Sequence, residues 1–265
     1  LSMLPTDIRR IPSSMDALVV IHPKELSEST LYAIDQYVLA GGKLITYVDP
    51  YAEVDKPKKD PDNPMSAMLA PRSSNMEELF TAWGFKRSNT DVVADRKTAT
   101  KVDFGAKTDY QPIDYVLWQK LVKDNFNKDE RITSALRQLN VATPGRFEIL
   151  DEHTTNITPL FSSSNEAMLV DKRVVQFRND PVALLTKYQA GTISYPMAIR
   201  AQGEVKTAFP DGAKTVSGDI KKMPGHLDNA KQAIDVIAIA DVDMLDDRFW
   251  VETQDFYGKQ LAFNT

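Results

Sequence analysis

The stretch LVVIHPKELSESTLYAIDQYVLAGGKLITYVDP, Leu18–Pro50, decides the reading of the fold. It opens within a short β-branched run, Ala17–Ile21, whose continuous apolar character predicts a buried parallel strand. Ser27 supplies an N-cap, and Leu31, Ile34, Tyr37 and Val38 then recur at helical spacing until Gly41-Gly42 ends the helix. A second apolar run, Lys43–Val48, stops at Asp49-Pro50. Strand, helix and strand in so short a span form a βαβ unit, for which the crossover is right-handed.

Outward from that unit the chain alternates punctuation and pattern. Residues 51–74 are crowded with Pro, Lys and Asp, most densely in Lys56–Pro64, and predict a surface loop. Asn75–Trp83 predicts a helix with Met76, Leu79, Phe80 and Trp83 on one face and Gly84 as its stop. Extended segments are expected at Asp91–Ala94 and Asp114–Trp118, and a polar helix at Glu130–Leu139. Strands at Asn140–Thr143 and Arg146–Leu150 flank the Pro144-Gly145 turn. Ile157–Phe161 and Tyr195–Ala201 read as strands, and Asp180-Pro181 opens a short helix with proline in its first turn. Residues 203–230 predict a second long loop. Asp235–Ala240 is the last strong strand, leading through Asp241-Val242-Asp243 into a helix that Asp246 or Asp247 would cap. The expected architecture is α/β: one domain over residues 1–265 with a central, mainly parallel sheet. In it Leu18–Ile21, Leu44–Val48 and Val236–Ala240 are neighbours, the middle (85–200) is an elaboration, and both long loops are exposed.

Composition narrows the function classes. Hydrophobic residues make up 42% and charged residues 26%, the balance of a globular domain. The net charge is −5 with Lys and Arg scattered, which argues against nucleic acid and against an anionic membrane surface as partners. The chain has no cysteine, which removes disulfides, zinc-thiolate sites and cysteine nucleophiles together. His22, His153 and His226 lack any HxxH or HExxH spacing, so no metal is assigned. No glycine-rich phosphate loop or G-x-S-x-G elbow occurs, so no cofactor and no catalytic residue is assigned either, and Ser162-Ser163-Ser164 reads as a turn or strand edge. The longest apolar runs fall far short of the roughly 18–20 residues of a membrane span. With no initiator methionine or signal peptide, the chain is expected to be a soluble segment of a longer protein.

The candidate binding residues stand where strands end, since open α/β sheets hold ligands at the carboxyl ends of their strands. They are His22 after the first strand, Asp49 after the second, and Asp241 and Asp243 after the last, with Arg248 as a compensating cation. Alternation in Asp241 and Asp243 can project both carboxylates to one side, toward a metal ion or sugar hydroxyl. The competing reading, favoured by the local chemistry of Asp, is that these residues cap turns and helices. If the carboxylates converge in a buried place, repulsion raises at least one of their pKa values unless a cation compensates. Trp83, Trp118, Phe249 and Trp250 are expected in the core.

The chain resembles the auxiliary components of gliding-motility-type ABC transport systems. The likeness rests on Leu18–Pro50 and continues in order through LFTAWGFKRSNTDVVAD (Leu79–Asp95), LNVATPGRFEI (Leu139–Ile149) and ITPLFSSSNEAMLV (Ile157–Val170). It ends with YPMAIRAQGEVKTAFPDG (Tyr195–Gly212) and IAIADVDMLDDRF (Ile239–Phe249). The resemblance implies a flavodoxin-like or class I glutamine amidotransferase-like fold, with a related domain in intraflagellar transport proteins. It implies a domain on the periplasmic face of the bacterial inner membrane, anchored by flanking helices of the parent protein. An ABC permease and ATPase are the implied partners, with an envelope protein or glycan as a further ligand. The amidotransferase cysteine is absent here, which leaves a non-catalytic binding or scaffold module as the expected function. A glycan- or envelope-sugar-binding domain and an unrecognised hydrolase are the alternatives.

Overall fold

A computed structural model describes residues 2–57, 61–63, 65–214, 218–256 and 259–264. The opening unit forms as its sequence requires. Strand β1 (Ala17–Ile21) leads to helix α1 (Glu28–Leu39) and strand β2 (Lys43–Tyr47). The Ser27 hydroxyl accepts the Thr30 N–H at 3.2 Å, and Gly41 past the helix end takes φ +102°, where a side chain would be strained. Two short helices follow, α2 (Ser66–Leu69) and α3 (Glu77–Ala82), the latter burying Met76, Leu79, Phe80 and Trp83 completely or nearly so.

From there strands dominate: β3 (Phe85–Arg87), β4 (Asp91–Ala94), β5 (Ala99–Val102), β6 (Ile113–Val122), β7 (Gln138–Ala142), β8 (Phe147–Ile149), β9 (Thr155–Ser162) and β10 (Met168–Asp171). Helices α4 (Lys172–Arg178) and α5 (Pro181–Thr186) precede β11 (Pro196–Gly203), the two-residue strands β12 (Ala213–Lys214) and β13 (Ile220–Lys221), and β14 (Ile234–Ile239). Strands β15 (Val251–Phe256) and β16 (Lys259–Asn264) pair as a terminal hairpin. Among the described residues no helix is long and apolar enough to cross a membrane.

The main sheet has five strands in the order β1-β2-β14-β11-β9. The three apolar segments are neighbours as expected: β1 and β14 both run parallel to β2, with Leu18 and Val236 each opposite Leu44. Strand β1, however, is an edge strand rather than a buried one, with Ala17, Val19 and Ile21 exposed because no strand lies beyond it among the described residues. The mainly parallel, flavodoxin-like or amidotransferase-like α/β architecture is overturned. Strand β11 runs antiparallel to β14 and to β9, and the remaining strands make small antiparallel sheets, β5-β6-β7 the largest of them. Strands take 31% of the chain and helices only 19%. A long connection permits either direction: the links from β9 to β11, through α4 and α5, and from β11 to β14 each exceed the dozen residues that a parallel crossover needs, yet both pairs are antiparallel. Direction is set by where the intervening segments pack, and the apolar pattern within a strand carries no record of it.

Four local expectations also change. Glu130–Leu139 is not a helix: turns occupy its first part, and Leu139 joins β7 opposite Leu121. Its polar residues offered no apolar stripe to bury, so ladder pairing won. The helix after Asp243 is replaced by two single 3-10 turns, Asp243–Leu245 and Asp247–Phe249. Trp118 is only part-buried, packed edge-on against Tyr115 and Phe249, and Trp250 is exposed. Residues 203–230 are irregular but not solvated throughout, because Val205, Phe209 and Ala213 enter the main core. Buried Asp35 on α1 accepts the Thr207 hydroxyl and the Ala208 N–H, and Tyr32 stacks on His226, so this segment roofs the helix. The first loop is also less solvated than expected: Ala52 and Ser74 are buried, Ser66–Leu69 is helical, and most of the other described residues are part-buried. Residues 58–60 and 64 of that loop, and 215–217 of the second, lie outside the described residues.

The two faces of the main sheet carry separate cores. One, under α1 and α3, gathers Leu44, Val48, Val236 and Ala238. The other gathers Leu121, Val141, Leu160, Met197 and Ile239 between the main sheet and β6-β7. The seam between main sheet and appended sheets therefore falls at the carboxyl ends of β2 and β14, where the acidic residues stand.

Candidate functional site

At that seam the carboxylates of Asp49, Asp241 and Asp243 meet, each offering an oxygen within 4.8 Å of the others. All three residues are 0% exposed. Asp49 follows β2 and Asp241 follows β14, and the parallel pairing of these strands aligns their ends. Two strands far apart in the sequence, Lys43–Tyr47 and Ile234–Ile239, are brought together by this register.

Every oxygen of the trio accepts a main-chain N–H. Asp49 takes those of Tyr51 and Val242, both at 2.8 Å. Asp241 takes Ala142 at 2.8 Å and Met244 at 3.0 Å. Asp243 takes Glu53 at 2.7 Å and Val54 at 2.9 Å. The trio thus clasps three pieces of chain: the end of the main sheet, the end of β7 in the appended sheet, and the loop after β2. Gly145 completes the seam. Its N–H donates to the Ala240 carbonyl at 2.7 Å, and a Cβ there would lie 2.8 Å from Pro50 Cδ. A glycine is needed at this point for close approach rather than for an unusual φ.

Burial dominates the electrostatics. It drives the Asp49 and Asp241 carboxyls well above the ordinary range, and the neighbouring carboxylates push in the same direction. Asp243 is raised to about 7 by burial, with the Val54 and Glu53 amides and the Arg248 charge opposing and Glu53 adding to the rise. The repulsion expected of converging carboxylates is present.

The other two sequence candidates stand apart from the trio. Arg248 turns to Asp246, its Nε donating at 2.8 Å, and touches Asp243 only through the field of its charge. His22 sits at the end of β1 with φ 50°, its Nδ1 2.9 Å from Ser74 Oγ and its Nε2 3.3 Å from Asp55. Burial lowers its pKa. Ser74, His22 and Asp55 follow one another as a serine, histidine and aspartate relay would. Ser74 is only 4% exposed, however, and its Oγ also accepts the Asp49 N–H at 3.1 Å. Lys24 takes Asp55 at 2.7 Å.

Sequence reading missed Glu53, Ser74 and Asp55. Glu53 Oε1 accepts the Trp118 indole N–H at 3.1 Å and the Thr143 hydroxyl, adding a side-chain tie to the same seam. All three lie in the first long loop, whose many charged and hydroxyl residues carry no periodic signal. Their roles come from what the loop folds against.

A family model described as "ABC-type uncharacterized transport system", ABC_transp_aux, matches residues 1–265. The chain belongs to this family of ABC transport auxiliary components. No curated protein matches the chain. Among solved structures, one titled "mmIFT52 N-terminal domain" is similar at 9% identity and a TM-score of 0.43, covering 91% of this chain and 73% of that one.

Proposed function

We propose that the chain is a non-catalytic scaffold or binding domain of an auxiliary component from a gliding-motility-type ABC system. In this reading it stands on the periplasmic face of the inner membrane, anchored by parts of the parent protein beyond these residues, and contacts the permease and ATPase assembly. Family membership over residues 1–265 supports the transport role. The observation that carries the scaffold role is the clasp. The strand ends, where open sheets usually hold ligands, use each Asp49, Asp241 and Asp243 oxygen on a backbone amide. Such an arrangement fixes the relative placement of sheets instead of presenting a reactive group.

The test is affinity purification of the full-length parent from detergent-solubilised membranes, paired with a broad hydrolase screen of this chain. Co-purification of permease and ATPase without turnover is the expected result. Hydrolytic turnover abolished by Ser74→Ala would overturn the non-catalytic reading.

The approach of three carboxylates within 4.8 Å favours a second reading, in which the trio meets a sugar hydroxyl or a divalent cation. Calorimetry with divalent cations and envelope sugars on wild type and Asp243→Asn distinguishes the two. The scaffold reading expects no heat of binding, and heat that disappears in the variant would favour the ligand.

A further inference from the structure

The two edges of the main sheet are treated differently. Strand β9 is covered: Phe126 bridges Phe161, the Asn127 N–H donates to Leu160, and the Asn125 and Asn127 side chains cap the Ser162 and Pro159 carbonyls. Pro159 itself blunts that edge. Strand β1 has none of these devices. Among the described residues no strand or bridge pairs with its outer side. Its sequence, Ala17-Leu18-Val19-Val20-Ile21, holds no charge and no proline, and Val19 and Ile21 are 49% and 54% exposed. An apolar, unprotected edge is a template for another strand.

The backbone fixes what that edge offers. The His22 N–H donates to Tyr47 on β2, so by alternation Leu18, Val20 and His22 face inward to β2. Ala17, Val19 and Ile21 therefore turn their N–H and C=O groups outward. A strand from an identical copy, related by a twofold axis normal to the sheet, must pair residues of the same face. The register that overlaps the whole strand centres on Val19. It sets Val19 against Val19 and Ala17 against Ile21, each an outward-facing pair able to exchange two backbone hydrogen bonds, and it covers the exposed valine and isoleucine. Exposed Asp16 of one copy falls opposite His22 of the other, where β1 ends, so no like charges meet at the ends of the overlap.

We propose that β1 is a homodimerisation edge, joining two main sheets into one continuous sheet through antiparallel β1–β1 pairing centred on Val19. The occupant is a second copy of this chain, because the outward donors and acceptors of Ala17, Val19 and Ile21 match themselves in a register that a twofold axis closes. The same register brings the exposed valine and isoleucine of both copies together.

Sedimentation of the chain over a concentration series tests this, with Val19→Lys, Val19→Pro and a distant exposed control, Val174→Lys. The expected wild type is dimeric at about 100 µM, and the control matches it. Val19→Lys places like charges directly opposite each other, and Val19→Pro removes an outward donor that the monomer does not use. Each is expected to weaken the dimer at least about tenfold, with the circular dichroism of the wild type retained. A wild type that stays monomeric at that concentration overturns the proposal. So does a dimer unaffected by both folded Val19 variants.

Discussion

The carboxyl ends of the parallel strands and the outer edge of β1 belong to the same three-strand unit, yet they resolve their polar groups in opposite ways. At the ends, acidic side chains are buried and matched to backbone amides of other segments. At the edge, apolar side chains are exposed, and among the described residues no strand pairs with the outward backbone groups. The acidic residues, which look most like chemistry, are committed to holding the molecule together. The bland valine-rich strand keeps unused hydrogen-bonding capacity. In the proposed dimer, open valence rather than residue type locates the meeting place.

The sharpest way to break that contrast is Asp241→Ala. It leaves the Ala142 and Met244 amides buried without their acceptor, at about 1–3 kcal/mol each. Relief of repulsion from the other carboxylates offsets part of this, so a net loss of about 2–4 kcal/mol in urea unfolding is expected. Unchanged stability would show that the clasp holds nothing.

pH dependence comes next. The trio's folded pKa values lie above the ordinary carboxylate range, with Asp243 at about 7, so the folded state keeps protons that the unfolded chain releases. Stability from these groups is therefore full below about pH 4 and falls as pH rises toward 7 and beyond. The urea midpoint should be higher at pH 5 than at pH 8, by a free energy on the order of a few kcal/mol. Asp243→Asn should flatten that slope, and a slope identical to wild type would remove Asp243 from the account.

Gly145→Ala forces a methyl against Pro50 and Ala240 and is expected to cost about 1–3 kcal/mol by thermal or urea unfolding. A neutral result would mean that the seam has slack. The smallest effect is at the edge. Val19→Lys should change the unfolding free energy of the monomer, measured at high dilution, by no more than about 0.5 kcal/mol, since Val19 is half-exposed. A large loss there would mean that the edge is packed after all, and would erase the contrast.

Much of the local structure was legible along the chain. Leu18–Pro50 determined a strand, a Ser27-capped helix stopped by glycine, and a second strand, because N-capping, helical spacing and Gly termination act between near neighbours. Shared apolar character also paired the first, second and last strong strands. Asp49, Asp241 and Asp243 were legible as residues at strand ends that converge, but not as a saturated clasp, since Glu53 and Val54 donate from a loop without a pattern and Ala142 donates from a predicted strand whose neighbour the sequence does not name. The direction of β11 and β9, the ladder that absorbed Leu139, and the burial of Val205 and Phe209 were decided by tertiary structure alone. Strand direction depends on which connection reaches which neighbour, and burial of an irregular loop depends on the surface it folds onto; neither quantity is local to the residues that display it.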